Sequence, residues 1–168
     1  MRVFFIGFMG AGKTWLGKQV GALTGLPFID LDAHIAQEEG ATVATLFKEL
    51  GEPQFRVIEQ HYLLALTATN PRLILSCGGG TPCFFDNLAF MKKNGTVIWL
   101  DPPIAVLVNR LQKEKDSRPL LKDIHADQLE SFIQSKRADR SLYYSQAHMH
   151  ITDAVPDPAV IIKILQHG

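Results

Sequence analysis

The segment Gly7-Phe8-Met9-Gly10-Ala11-Gly12-Lys13-Thr14 constrains this chain more than any other. It fits G-x-x-x-x-G-K-[ST] at every specified position. It also lies directly after the apolar run Val3-Phe4-Phe5-Ile6 and opens a helical periodicity at Lys13. That placement is what the mechanism of a phosphate cradle requires. Glycines let the backbone curl so that successive N–H groups face phosphate oxygens, and the helix N-terminus behind them adds positive potential. Lys13 then reaches the β- and γ-phosphates of a nucleoside triphosphate, and the Thr14 hydroxyl is placed to ligate Mg²⁺. A glycine-rich turn with a fortuitous lysine would need no such strand–loop–helix order. A strand apolar at consecutive positions is covered on both faces, so the chain is expected to build a parallel sheet layered by helices.

The rest of the chain repeats this alternation of short β-rich runs and longer helical patterns. The first helix is predicted to about Leu23, broken by Gly25-Leu26-Pro27, with a second strand at Phe28-Ile29. Helices follow over about 33–39, 43–50 and 52–67, the last with Phe55, Ile58, Tyr62 and Leu66 along one face. Leu73-Ile74-Leu75 is a third strand that runs into Gly78-Gly79-Gly80. Asp86 is placed to cap a helix to about Lys93, and Val97–Leu100 is a fourth strand. A helix over 104–113, another over about 127–142, a fifth strand near 149–152 and a closing helix over about 158–166 complete the pattern. The charged stretch 113–127, which carries Arg118-Pro119, reads as a mobile lid outside the core. No repeat or linker divides residues 1–168, and one domain is expected.

Composition narrows the function. Lys plus Arg number 17 and Asp plus Glu 17, a balance that argues against nucleic acid as a partner. The longest stretch free of those four residues, Leu73–Phe85, has 13 positions and holds three glycines and a proline. A bilayer span needs about 20 apolar residues, so no membrane segment is expected. Met1-Arg2-Val3 lacks the organisation of a signal peptide. Cys77 and Cys83 form neither a disulfide framework nor zinc-ligand spacing, and read as buried thiols in a reducing cytoplasm. The six histidines show no ligand spacing, and His148 and His150 near the fifth strand are expected to be structural.

Guanine-specific switches would show N-K-x-D and D-x-x-G, and neither occurs. A motor-type ATPase would end an apolar strand in an acid, whereas strand three ends Ser76-Cys77-Gly78. A small kinase acting on a small molecule remains. Asp30-Leu31-Asp32 closes strand two at the carboxyl edge of the sheet, where ligands bind in open α/β folds. In β geometry the two carboxylates would share a face: one helps hold Mg²⁺ through water, and the other takes a proton from an acceptor hydroxyl. Alternatively, Asp32 only caps the next helix. Glu52, Arg56 and Glu59 have the spacing of a solvated salt-bridge face, or of an arginine held ready for a substrate carboxylate. Three consecutive glycines suit a backbone that a ligand approaches closely. Arg118-Pro119-Leu120-Leu121 has the look of a lid tip whose arginine swings over the phosphates.

Taken in order, these motifs resemble the shikimate kinase family: Gly7–Thr14, Asp30-Leu31-Asp32, Gly51-Glu52-Pro53-Gln54-Phe55-Arg56, Gly78-Gly79-Gly80, Arg118-Pro119-Leu120-Leu121 and Arg140-Ser141-Leu142-Tyr143-Tyr144. The resemblance covers essentially the whole chain. It implies a three-layer P-loop NTPase fold of the nucleoside-monophosphate-kinase type, with a five-stranded parallel sheet in the order 2-3-1-4-5, helices on both faces and a lid. It further implies transfer of the ATP γ-phosphoryl group to the 3-hydroxyl of shikimate, on the route to chorismate and aromatic amino acids, by a cytoplasmic monomer.

Carried over position by position, Gly10, Ala11, Gly12, Lys13, Thr14, Trp15, Arg110, Arg118 and Pro156 would bind ATP. Asp32, Arg56, Gly78, Gly79, Gly80 and Arg140 would bind shikimate. Asp32 would be the base, assisted by Lys13 and Arg118, with Thr14 on Mg²⁺ and Asp30 holding the metal through water. Trp15, Cys77 and Leu142 depart from the usual family residues. Arg137 is a second candidate for the role given to Arg140, which is chosen because it precedes Tyr144 by four. The alternatives are a related small-molecule kinase, such as a gluconate kinase, and a non-catalytic nucleotide-binding module.

Overall fold

The computed structural model describes residues 1–114, 121 and 123–167. Five strands, β1 (Arg2–Ile6), β2 (Phe28–Asp30), β3 (Leu73–Ser76), β4 (Thr96–Leu100) and β5 (Met149–Ile151), form one sheet in the order β2-β3-β1-β4-β5. Every pairing is parallel; Val3, for instance, lies between Ile74 and Thr96. The strand order implied by the family resemblance is therefore the one found.

Side chains alternate across each strand, so β1 feeds two cores. Val3 and Phe5 pack with Ile74, Ile98 and Leu100 against α1 (Lys13–Thr24), α6 (Ile104–Lys113), α7 (Leu129–Tyr144) and α8 (Pro158–His167). Phe4 and Ile6 pack with Leu75, Val97 and Trp99 against α2 (Leu31–Glu39), α3 (Val43–Leu50), α4 (Glu52–Thr69) and α5 (Asn87–Asn94). Burying apolar surface on both faces of the sheet is what makes β1 apolar at consecutive positions.

Five expectations are corrected. The strand-two carboxylates are not paired by β geometry, because β2 ends at Asp30 and α2 begins at Leu31. Asp30, not Asp32, caps that helix, its Oδ1 accepting from the Ala33 N–H at 3.2 Å. Asp86 sits at the start of α5 but makes no capping hydrogen bond through its side chain. The reading of 113–127 as lying outside the core fails at Leu121, which is fully buried among Leu107, Leu111, Leu129 and Ile133. Finally, Cys77 is buried with its Sγ 3.6 Å from the Met91 sulfur, whereas Cys83 is only half-buried.

His148 is structural as expected: its Nδ1 accepts from the Val97 N–H at 3.0 Å. Among the described residues, no helix is long and apolar enough to cross a membrane.

Candidate active site

The phosphate loop leaves β1 and enters α1 through Gly12, whose φ of 95° is a left-handed conformation that a side chain would strain. Lys13 curls back over the loop, its Nζ donating to the carbonyls of Gly7 at 2.9 Å and Phe8 at 3.0 Å. Arg110 reaches across from α6 and donates to the carbonyls of Gly10 at 2.9 Å and Ala154 at 2.7 Å. It thereby ties the loop to the connection between β5 and α8. The resulting cavity, about 610 Å³, is lined by Met9 to Trp15, with Arg110, Val155 and Pro156 at one rim.

One wall of this cavity carries oxygen donors. The Thr14 hydroxyl donates to Asp30 Oδ2 at 2.6 Å and lies 3.4 Å from Ser76 Oγ. Two hydroxyls and a carboxylate with no sulfur or imidazole among them suit a hard cation such as Mg²⁺, which keeps several waters and shares phosphate oxygens. Among the described residues, no cluster of three or more His, Cys, Asp or Glu could hold an ion by itself.

A second cavity, about 420 Å³, adjoins the first, and Met9, Asp32, Gly78 and Gly79 line both. Arg56 and Arg140 project into it, with Phe47 and Phe55 as an apolar wall. Arg56 is buried, and so is Glu59, so the solvated salt-bridge reading of this segment is overturned. Arg56 donates through Nη1 to Glu59 Oε2 at 3.0 Å and through Nη2 to Glu52 Oε1 at 2.8 Å. Its guanidinium also lies 4.3 Å from the Phe84 ring centroid. Glu59 takes a second bond from the Thr81 hydroxyl at 2.6 Å, so the carboxylate behind Arg56 is itself fixed. A guanidinium held this way keeps its fork aimed without having to order itself on binding an anion.

The triple glycine is explained by packing. A Cβ on Gly79 would come within 2.8 Å of an Arg140 nitrogen, and one on Gly80 would collide with the Arg56 guanidinium. On Gly78 it would sit 2.9 Å from Glu59 and 3.0 Å from Asp32. The backbone runs bare beneath the charged groups of the cavity, and any side chain would push them out of place. Tyr144 locks this strip from the far side, its hydroxyl donating to the Gly79 carbonyl at 2.5 Å. Burial holds the Tyr144 phenol well above its usual range, so it remains a donor.

Asp32 stands between the cavities with its carboxyl pushed up to about 6. Burial is the main cause; Glu59 and then Asp30 add repulsion, which Lys13 and Arg56 partly offset. A carboxylate that titrates just below neutrality can take a proton from a hydroxyl and release it again.

The structure thus brings Gly10, Ala11, Gly12, Lys13, Thr14, Trp15, Asp30, Arg110 and Pro156 to the first cavity, and Arg56, Gly80 and Arg140 to the second. Arg118 lies outside the described residues. Arg137 is spoken for by an ion pair with Asp101, which leaves Arg140 as the α7 arginine in the cavity. Sequence reasoning missed Glu59 and Thr81 as the support of Arg56, and Tyr144 as the support of Gly79. The i,i+3 spacing of Arg56 and Glu59 signalled the first; nothing local signalled the others.

The family model described as shikimate kinase matches residues 9–167. The chain belongs to the shikimate kinase family. A shikimate kinase of Bacteroides fragilis is 40% identical over 167 residues, covering 99% of this chain and 93% of that protein. The solved shikimate kinase of Bacteroides thetaiotaomicron superposes with a TM-score of 0.89 at 37% identity, covering 99% of this chain and 95% of that one. The shikimate kinase of Acinetobacter baumannii, solved in complex with shikimate, superposes at 0.87 with 32% identity, covering 99% and 91%. Shikimate kinases use ATP as phosphoryl donor.

Proposed function

We propose that this chain transfers the γ-phosphoryl group of ATP to the 3-hydroxyl of shikimate, releasing shikimate 3-phosphate and ADP. The observation that carries the reading is the position of Asp32 on the wall common to a phosphate-binding cavity and one lined by two arginines. Shikimate is a small ring acid with several hydroxyls. Its carboxylate would be gripped by Arg56 and Arg140, and its ring would lie against Phe47 and Phe55 over the bare strip at Gly78–Gly80. In that pose a hydroxyl faces Asp32, which accepts its proton as the oxygen attacks.

The loop N–H groups and Lys13 hold the β- and γ-phosphates and take up the charge that builds on them. Arg110 and Pro156 flank the nucleobase. Thr14, Asp30 and Ser76 would hold Mg²⁺, directly or through water, and when bound it neutralises the transferring phosphoryl group. Arg118 is assigned a further cationic contact to the phosphates from a lid, on the family pattern alone. The enzyme is proposed to work as a one-domain monomer in the cytoplasm.

A coupled ADP-release assay tests the reading with shikimate, gluconate and nucleoside monophosphates as acceptors. Turnover with shikimate alone is expected. Turnover with gluconate at a comparable kcat/KM would replace this reading by the polyol-acid kinase, and no turnover with any acceptor would favour the non-catalytic module.

A further inference from the structure

Arg140 sits on α7 between two fixed points. Tyr144, four residues on, is bonded to the Gly79 carbonyl at 2.5 Å, and its phenol also lies against Arg140. Arg137, three residues before, is paired with Asp101 just past the end of β4. Three residues are about 4.5 Å along a helix and most of one turn, so the two arginines leave the axis on neighbouring faces.

Asp101 is held from both sides. Its Oδ1 takes the Arg137 guanidinium, while its Oδ2 accepts from His150 Nε2 on β5 at 2.9 Å. The His150 ring is in turn stacked on Trp99, with centroids 3.8 Å apart and planes within 5°. The Asp101 N–H donates to the Ile151 carbonyl at 2.8 Å. The Asp101 side chain is 10% exposed, where an ion pair is screened far less than on the open surface. A carboxylate with both oxygens engaged and its backbone tied to the sheet cannot follow a shift of α7, so it resists one.

We propose that Asp101 is a positioning residue for the acceptor site: by fixing Arg137 it sets the rotation of α7 and so aims Arg140 into the cavity. The inference rests on the reading of Arg140 as a carboxylate-binding residue given above. Asp101 touches neither cavity, so it acts on the acceptor only through the helix.

Steady-state kinetics with shikimate and ATP varied separately test it. Asp101→Asn is expected to raise the shikimate KM about fivefold, a coupling of ordinary size for a two-residue network, with kcat and the ATP KM nearly unchanged. Arg137→Gln should do the same and serves in its place if Asp101→Asn fails to fold. In an Arg140→Gln background, Asp101→Asn should add nothing, because the group it aims is gone. An unchanged shikimate KM in both single variants would overturn the proposal. So would an equal rise in both KM values, which marks general loosening, or an effect that multiplies with that of Arg140→Gln. A wild-type chain that turns over no shikimate would instead remove the functional reading on which the proposal stands.

Discussion

The two adjoining cavities that meet at Asp32 are built from different materials. The nucleotide side is made mostly of backbone: seven contiguous residues, Met9 to Trp15, whose curl is set by glycines and whose donors are main-chain N–H groups. The acceptor side is made of side chains drawn from α2, α3, α4 and α7 over the bare strip after β3, with Thr81 and Tyr144 holding Glu59 and Gly79 from far along the sequence. A backbone cradle recognises what every nucleoside triphosphate shares. A cavity of oriented side chains recognises one acid, and it can be spoiled by moving any one support. Asp32 belongs to both, and it is where the two chemistries meet.

Variants at that junction should have the largest effect. Asp32→Asn is expected to lower kcat by about 10²- to 10⁴-fold, the usual range for losing a general base, while ADP still binds. The same carboxyl predicts the pH profile. With its pKa raised to about 6, Asp32 is a competent base above that value and protonated below it. The kcat/KM for shikimate should therefore fall about tenfold per pH unit on the acid side of 6, and a profile flat to pH 5 would remove Asp32 from the role.

Next come the arginines, which divide the two cavities cleanly if the comparison holds. Arg140→Gln and Arg56→Lys should each raise the shikimate KM by about 10- to 100-fold, from the loss of a charge-assisted or bidentate bond, and leave the ATP KM alone. A comparable rise in both KM values would mean that the cavities are not separate. Gly79→Ala is a finer probe, because its added Cβ would approach an Arg140 nitrogen to 2.8 Å. A rise of roughly threefold in the shikimate KM is expected, for the cost of tilting one long side chain.

The remaining effect concerns stability. The folded-state pKa of Asp32 lies above its unfolded value of 3.8, so the folded chain binds the proton more tightly. The cost of ionising it is absent below about pH 4, grows as pH rises toward 6 and is complete above that. At pH 8, Asp32→Asn should stabilise the ligand-free protein by about 3 kcal/mol, a rise of about 6–12 °C in Tm, and at pH 4 most of the gain should vanish.

The same contrast explains what could be read from the sequence. The cradle was legible to the residue, because a local backbone shape needs particular glycines at fixed spacing. The sheet was legible in its strands, since burial on both faces leaves consecutive apolar positions. Its strand order came only from the family resemblance. Asp32 reads as part of a strand face, but α2 starts one residue earlier and its first turn delivers the side chain to both cavities instead. Thr81 and Tyr144 were passed over as functional supports because their partners, Glu59 and Gly79, are 22 and 65 residues away. No local spacing encodes such pairs. Leu121 was misread because one buried leucine in a charged stretch leaves no periodicity to detect.

The most direct test of the account is ³¹P NMR of shikimate incubated with ATP and Mg²⁺ and either the intact chain or its Asp32→Asn variant. The account predicts a phosphate monoester at the 3-position from the intact chain and almost none from the variant. Equal product from both, or phosphate released to water in place of the monoester, would contradict it.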